Sequence, residues 1–277
     1  MADRYERIEI FNESMKLCEK DEFLSRSVRS SIADQKIYWE SDAVSPLIEK
    51  RFASTEFLVN SKRSCEAAKD FSGKSVCVLN FASSFNPGGG VKRGAGAQEE
   101  SICRISTLYK SLADKSVKEF YDSHSHMIRR GKNDRRNNDD IIYTPGVTVF
   151  REDTFDCELM PQTDWYNVDI ITCAAPDLRL FFDRSDYTPD DAELRELHLK
   201  RWKRILSVAS LYKEEVLILG AFGCGVFNNP PEIVAGAARQ VCNEFDGVFE
   251  KIVFAVFTND HESENYRAFS EAFGSGN

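Results

Sequence analysis

Four runs in the chain are almost wholly apolar and rich in β-branched residues: SVCVLNFA (75–82), NVDIITCAA (167–175), EVLILGAF (215–222) and KIVFAVF (251–257). Unbroken apolar runs of this length suit central strands covered on both faces. TPGVTVF (144–150) is read as a further strand. Helical spacing of apolar positions marks about 98–121, 190–213, 231–246 and a terminal stretch from about 262. Strands alternating with helices, with the strands apolar throughout, predict an α/β fold in which helices cover both faces of the sheet, a three-layer α/β/α sandwich. The first 70 residues read differently. DRYERIEIFNESMKLCEK places Ile8, Phe11, Met15 and Leu17 at roughly helical intervals between charges. Residues 1–70 are therefore read as a helical accessory extension, and 71–277 as the sheet-bearing domain, the two forming one structural unit.

Composition narrows the function classes. With 277 residues, 42% hydrophobic and 29% charged, the chain is ordinary globular protein, which excludes a disordered tail, a fibrous repeat and a disulfide miniprotein. Its 36 Lys and Arg against 45 Asp and Glu leave a formal charge of −9, which argues against broad binding to a nucleic-acid backbone. An anionic ligand would need a local site. Eight cysteines without a C-x-x-C pair, several inside apolar runs, point to a reduced, cytoplasmic protein. The charged N-terminus lacks a signal-peptide core and no run approaches a membrane span, so a soluble protein is expected. RRGKNDRRNNDD (129–140), with a net charge of only +2, reads as a solvated loop.

Five of the fifteen glycines fall within NPGGGVKRGAG (86–96), between a predicted strand and a predicted helix. That order brings bare backbone N–H groups to the carboxyl edge of a sheet, where phosphates bind without lysines. Lys92 is followed by Arg93 rather than Ser or Thr, so this is not a Walker A loop. The glycine spacing does not give G-x-G-x-x-G either. ILGAFGCGVFNNPPEIV (218–234) repeats the arrangement with Gly220, Gly223 and Gly225 ahead of a helix begun by Pro230 and Pro231. Two such loops at one sheet edge predict a grip on a nucleotide diphosphate from both sides.

These residues carry a family resemblance. Gly88, Gly89 and Gly90, seven residues, then Gln98, Glu99 and Glu100, set in NFASSFNPGGGVKRGAGAQEESICRISTLY, resemble the GGG-x(6–8)-QEE signature of poly(ADP-ribose) glycohydrolases, in particular the bacterial type. GAFGCGVFNNPPEIVA resembles the family's second phosphate loop, and ITCAAPDLR is similar to the bacterial branch. The resemblance spans roughly 75–257. It implies a macrodomain-like fold with a mixed central sheet, and cleavage of the ribose–ribose O-glycosidic link of poly(ADP-ribose) to release ADP-ribose. The substrate would be the polymer or ADP-ribosylated protein, with no metal and no cofactor. The alternatives are a mono-ADP-ribosyl hydrolase and a non-catalytic ADP-ribose-binding macrodomain.

By the same resemblance Glu100 is the acid and then the base. A sugar hydroxyl leaves poorly unless protonated as the bond lengthens toward an oxocarbenium ion. Neighbours on a helix point about 100° apart, so Glu99 is assigned to ribose hydroxyls and Gln98 to hydrogen bonding with the ligand. A helix N-terminus favours an ionised carboxylate, whereas the first step needs a protonated one. These demands oppose each other. The second loop implies substrate contacts at Gly223, Cys224, Gly225, Val226, Phe227 and Asn228, with Phe227 against the scissile ribose. Cys224 has no histidine near it in sequence and is not read as a nucleophile. His124 and His126 are read as surface residues near a helix end. Many macrodomains end their first strand in N-A-A-N. Here Asn80-Phe81-Ala82-Ser83 keeps Asn80 as a substrate contact but not the second Asn, leaving Asn86 and Asn228 as candidates to replace it. By resemblance the enzyme works from chain ends, the N-terminal helices covering the ribose end of the cleft.

Overall fold

The computed structural model describes residues 3–129, 136–179, 189–260 and 262–274. Helix α1 (Arg4–Lys20) opens with Asp3, whose carboxylate accepts from the N–H groups of Tyr5 and Glu6 while the Glu6 side chain returns to the Asp3 N–H. Asp21 caps α2 (Glu22–Asp34) in the same manner through the Leu24 N–H. Then come β1 (Lys36–Tyr38), β2 (Glu56–Asn60), α3 (Ser64–Lys69) and β3 (Val76–Phe81). After the first glycine loop lie α4 (Gln98–Ile105), α5 (Leu108–Leu112), α6 (Lys118–Arg129), β4 (Ile141–Val149) and β5 (Tyr166–Cys173). The chain ends with α7 (Asp191–Leu211), β6 (Val216–Leu219), α8 (Pro231–Glu244), β7 (Lys251–Ala255) and α9 (Glu264–Phe273).

The strands form one mixed sheet in the order β1-β4-β5-β3-β6-β7-β2. Pairings from β5 through β3, β6 and β7 to β2 are parallel, and those of β4 with β1 and β5 are antiparallel. Alternate strand residues feed two cores. Cys77, Leu79, Leu217 and Phe254 pack with Trp202, Val234 and Phe269 of α7, α8 and α9. Val76, Val78, Ile218 and Val253 face the opposite layer with Phe11, Ile102, Leu108 and Phe120 of α1, α4, α5 and α6. This is the predicted three-layer α/β/α sandwich.

Helix is not continuous through residue 70. It breaks off at Asp34 and returns only as α3, and β1 and β2 between them are the two outer strands of the sheet, pairing with β4 and β7. The single helix expected over 98–121 is also broken. Thr107 and Thr148 exchange bonds, Thr107 N to Thr148 O and Thr148 N to Thr107 Oγ1, both at 3.0 Å, so strand β4 captures the backbone after Ile105.

His124, expected at the surface, is buried on α6, whereas His126 is exposed as read. One ring nitrogen of His124 bonds the Phe120 carbonyl at 2.6 Å and the other lies 2.7 Å from Asn138 Oδ1 and 3.3 Å from Asp140 Oδ2. Burial alone would lower its pKa, but these acceptors raise it. The loop read as solvated is accordingly anchored in its described part: Asp139 and Asp140 are buried, and Asp139 pairs with buried Arg201 of α7 at 2.5 Å. Residues 130–135 of that loop lie outside the described residues. At the amino ends of the central strands, burial and neighbouring Asp169 push the Glu214 carboxyl upward, and Tyr143 bonds both carboxylates.

Candidate active site

The carboxyl ends of β3 and β6 release two glycine loops that face each other across a cleft of about 320 Å³. Among the predicted residues, Gly89, Gly90, Gln98, Glu99, Glu100, Gly223, Gly225, Val226 and Phe227 line it. The first loop delivers its backbone to α4. Gly90 N–H donates to Glu100 Oε1 at 2.8 Å, and Ser83 N–H donates to Glu99 Oε2 at 2.8 Å. Although neighbours on a helix, both carboxyl groups reach Gly89. A Cβ there would lie 2.5 Å from Glu100 Oε1 and 3.0 Å from Glu99 Oε2, at a φ of +58° that already favours glycine.

The first loop therefore cradles carboxyl groups, those of its own glutamates. Gly89, Gly90, Val91, Arg93, Gly94 and Ala95 all donate their N–H groups to protein acceptors. The second loop is the open one. Gly223, Gly225, Val226 and Phe227 donate their N–H groups to no acceptor among the described residues, while Cys224, Asn228 and Asn229 close the turns between them. The expectation of two phosphate-gripping loops is thus corrected to one carboxylate holder and one loop with unspent donors.

Glu99 is almost fully buried. Burial, aided by the nearby Glu100 charge and opposed by the Ser83 N–H, pushes its carboxyl up to about 8, so it is mostly protonated at neutral pH. Asn80 lies wholly beneath the cleft, its amide nitrogen 3.4 Å from Glu99 Oε1 and 3.2 Å from Thr172 Oγ1. It supports Glu99 and does not line the cleft. Gln98 accepts from Phe81 N–H at 2.9 Å and donates to Leu79 O and Ser64 Oγ at 2.7 and 3.0 Å, which ties the start of α4 to the end of β3.

Gly88, Cys224 and Asn228 are absent from the cleft lining. A Cβ on Gly88 would meet Tyr109 and Cys103 instead, at 2.8 and 3.2 Å. Asn228 is exposed in a left-handed turn, with φ +58°. Burial pushes the Cys224 thiol up to about 12, which suits loop packing rather than nucleophilic attack. Asn86 does line the cleft, as does Ser83.

Phe227 is held in place from two sides. Its carbonyl accepts from Leu178 N–H at 3.0 Å, and the Arg179 guanidinium lies 5.0 Å from its ring centroid while gripping Asp177 with two bonds. The residue that fixes the whole second loop is one the sequence did not single out. Buried Asn229 donates to Pro176 O, Gly223 O and Phe227 O at 2.7, 3.0 and 3.3 Å. Its own oxygen accepts from His198 Nε2 at 2.9 Å. Burial holds His198 down at about 4, so it is neutral and carries one ring proton. Arg93, Phe85 and Arg179 also line the cleft and went unread in the sequence.

Among the described residues no three of His, Cys, Asp and Glu converge as metal ligands would, and no helix is long and apolar enough to cross a membrane.

No curated protein sequence matches the chain. Solved structures do. The poly(ADP-ribose) glycohydrolase of Thermomonospora curvata is 30% identical with a TM-score of 0.81, covering 97% of this chain and 100% of its own. The same enzyme bound to the inhibitor ADP-HPD is 29% identical with a TM-score of 0.80 and the same coverage. The Deinococcus radiodurans enzyme in complex with ADP-ribose is 30% identical, with a TM-score of 0.76 over 89% of this chain and 97% of its own. The family model for the microbial-type PARG catalytic domain matches residues 6–152, which include Glu99, Glu100 and the loop that holds them. The chain belongs to that microbial-type PARG family, the poly(ADP-ribose) glycohydrolases, and is accordingly a glycosidase.

Proposed function

We propose that this protein removes terminal ADP-ribose units from poly(ADP-ribose), with Glu100 as the acid–base group and Phe227 against the terminal ribose. The observation that carries this reading is the opposition of Glu100, held by Gly90 N–H, to the four unspent N–H groups of Gly223, Gly225, Val226 and Phe227. The diphosphate binds those donors, which leaves the ribose beyond it between Phe227 and the carboxyl group. Glu100 gives its proton to the leaving ribose oxygen as the C–O bond breaks and the bonding pair departs with that oxygen. Water then attacks the oxocarbenium carbon and returns a proton to the Glu100 carboxylate. Glu99, protonated beneath the loop, holds the Ser83 end of the loop in register and offers hydrogen bonds to ribose hydroxyls.

A cleft of about 320 Å³ suits a single nucleotide-sized unit, which supports cutting at chain ends. The N-terminal segment contributes differently from the covering role expected of it. None of the described residues of 1–70 lines the cleft. Instead α1 braces the 92–96 turn, with Arg4 Nε bonded to Arg93 O at 2.9 Å and Arg7 Nε bonded to Gly94 O at 2.7 Å. ADP-ribose is the product in this reading, and ADP-ribosylated proteins are the carriers of the substrate.

Glu100→Gln keeps the shape and removes the proton donor, so turnover of poly(ADP-ribose) should fall by at least ~100-fold with ADP-ribose binding retained. Monomeric ADP-ribose should be the earliest product on time-resolved gels. Near-normal turnover of the variant would move the acid to Glu99, and early fragments of medium length would mean internal cutting.

A further inference from the structure

The turn that carries Arg93 into the cleft lining is rich in exposed positive charge. Arg93 lines the cleft beside the carboxylate: a Cβ on Gly90 would lie 3.4 Å from Glu100 Oε1 and 3.8 Å from Arg93 Nη2. Lys92 and Arg93 are both exposed, and so is Arg4, which reaches the same turn from α1. None of the three is paired with an acidic side chain among the described residues. Lys92 lies over the Tyr109 ring, and Arg4 bonds only the Arg93 carbonyl. Asp3 and Glu6, beside Arg4 in sequence, are occupied in capping α1. Three unpaired cations around one turn stand out in a chain of net charge −9 in which many other lysines and arginines form ion pairs.

We infer that Arg4, Lys92 and Arg93 form a rail for the part of the chain beyond the scissile bond, binding the diphosphate of the ADP-ribose unit that serves as leaving group. This rests on the reading that poly(ADP-ribose) is the substrate. The geometry follows from the polymer's chemistry. The leaving oxygen sits on the ribose of the next unit, and that same ribose carries its own unit's diphosphate. Once the terminal ribose is against Glu100, two further negative charges lie within one sugar ring of the reacting oxygen. Arg93 is the cation on that side of the carboxylate, with Lys92 and Arg4 extending the charge outward along the turn. Free ADP-ribose has no such second diphosphate. The rail therefore discriminates polymer from product and lets the product leave while the shortened chain stays engaged.

The test compares poly(ADP-ribose) with ADP-ribose as ligands across a salt series, with Glu100→Gln in every protein so that chains stay intact. The neutralised form carries Arg4→Gln, Lys92→Gln and Arg93→Gln. The control keeps the charges as Arg4→Lys, Lys92→Arg and Arg93→Lys. The neutralised form should lose at least tenfold in the ratio of polymer to ADP-ribose affinity at low salt. Its log–log salt slope for polymer should flatten by about 1 to 2, at roughly 0.7 for each phosphate that is no longer neutralised. The control should keep both. An unchanged ratio, an unchanged slope or an equal loss in the control would overturn the rail. Failure of the underlying reading looks different, because the wild-type protein, with Glu100 in place, would then neither bind nor shorten the polymer.

Discussion

The two glycine loops share a position at the sheet edge and differ in what their backbone donors do. The first spends its N–H groups on Glu99, Glu100 and its own turns. The second is held by the side chain of Asn229 and keeps four N–H groups without an acceptor among the described residues. One loop aims an acid and the other receives an anion. Glycine richness alone signals only that the backbone comes close to something, and here that is a carboxylate in one case and an open cleft in the other.

The largest effect should separate the loops at their glycines. Gly89→Val pushes a side chain into both carboxyl groups at a left-handed position, so turnover should fall by at least ~100-fold and the melting temperature should drop. Gly225→Val meets nothing within 4 Å. Its melting temperature should stay put while the Kd for ADP-ribose rises about tenfold, a change of about 1.4 kcal/mol. Calorimetry and initial rates read both quantities. Identical behaviour of the two variants would erase the division of labour.

Asn229→Ala should come next. It strands the Pro176 carbonyl and the His198 N–H and takes one of two donors from the Gly223 and Phe227 carbonyls, for about 2–3 kcal/mol in denaturant titration. Hydrogen exchange should quicken over 220–229 and stay unchanged over 85–95. Quickening in both loops would mean that they open as one unit.

The smallest effect is a pH signature of opposite sign in each loop. His198, held at about 4 against an ordinary 6.5, cannot take the proton that the unfolded chain accepts, so its contribution is present above about 6.5 and is lost as pH falls toward 4. Glu99, held at about 8 against an ordinary 4.5, keeps a proton that the unfolded chain releases. Its contribution is full below about 4.5 and is lost as pH rises through 8. His198→Gln should flatten the acid side of the stability curve. Glu99→Gln should flatten only part of the alkaline side, because Glu214 has the same sign. Local exchange at 83–90 isolates the Glu99 share.

Apolar continuity made the central strands legible, because burial on both faces keeps VCVL and VLIL apolar and leaves Asn80 as the one buried polar side chain of β3. The outer strands were not legible for the same reason reversed. KIY is three residues long, and EFLVN begins and ends on polar residues, as a strand with one neighbour can. The break after Ile105 arises from bonds to Thr148, more than forty residues away, which helical periodicity cannot contain. At the site, contiguous motifs brought out the glycines, the glutamates and Phe227. Asn229 and His198 escaped because their roles lie in bonds made across 31 residues to each other and, for Asn229, across 53 residues to Pro176. His124 escaped in the same way, since Asn138 and Asp140 lie beyond a polar stretch that reads as solvent-facing.

The pairing of β2 with β7 joins residues 56–60 to residues 251–255. On the ribosome, the segment that carries β2 must wait for almost the whole of the chain before its partner is made. At synthesis rates of about 5–20 residues per second that wait is about 10–40 seconds. During it, Phe57, Leu58 and Val59 have an open hydrogen-bonding edge toward any other extended chain. Closure of this outer seam is a late and non-local event, the kind that slows folding. Yield in a cell should therefore depend on how well the nascent chain is shielded over those seconds, quite apart from the stability of the finished sheet.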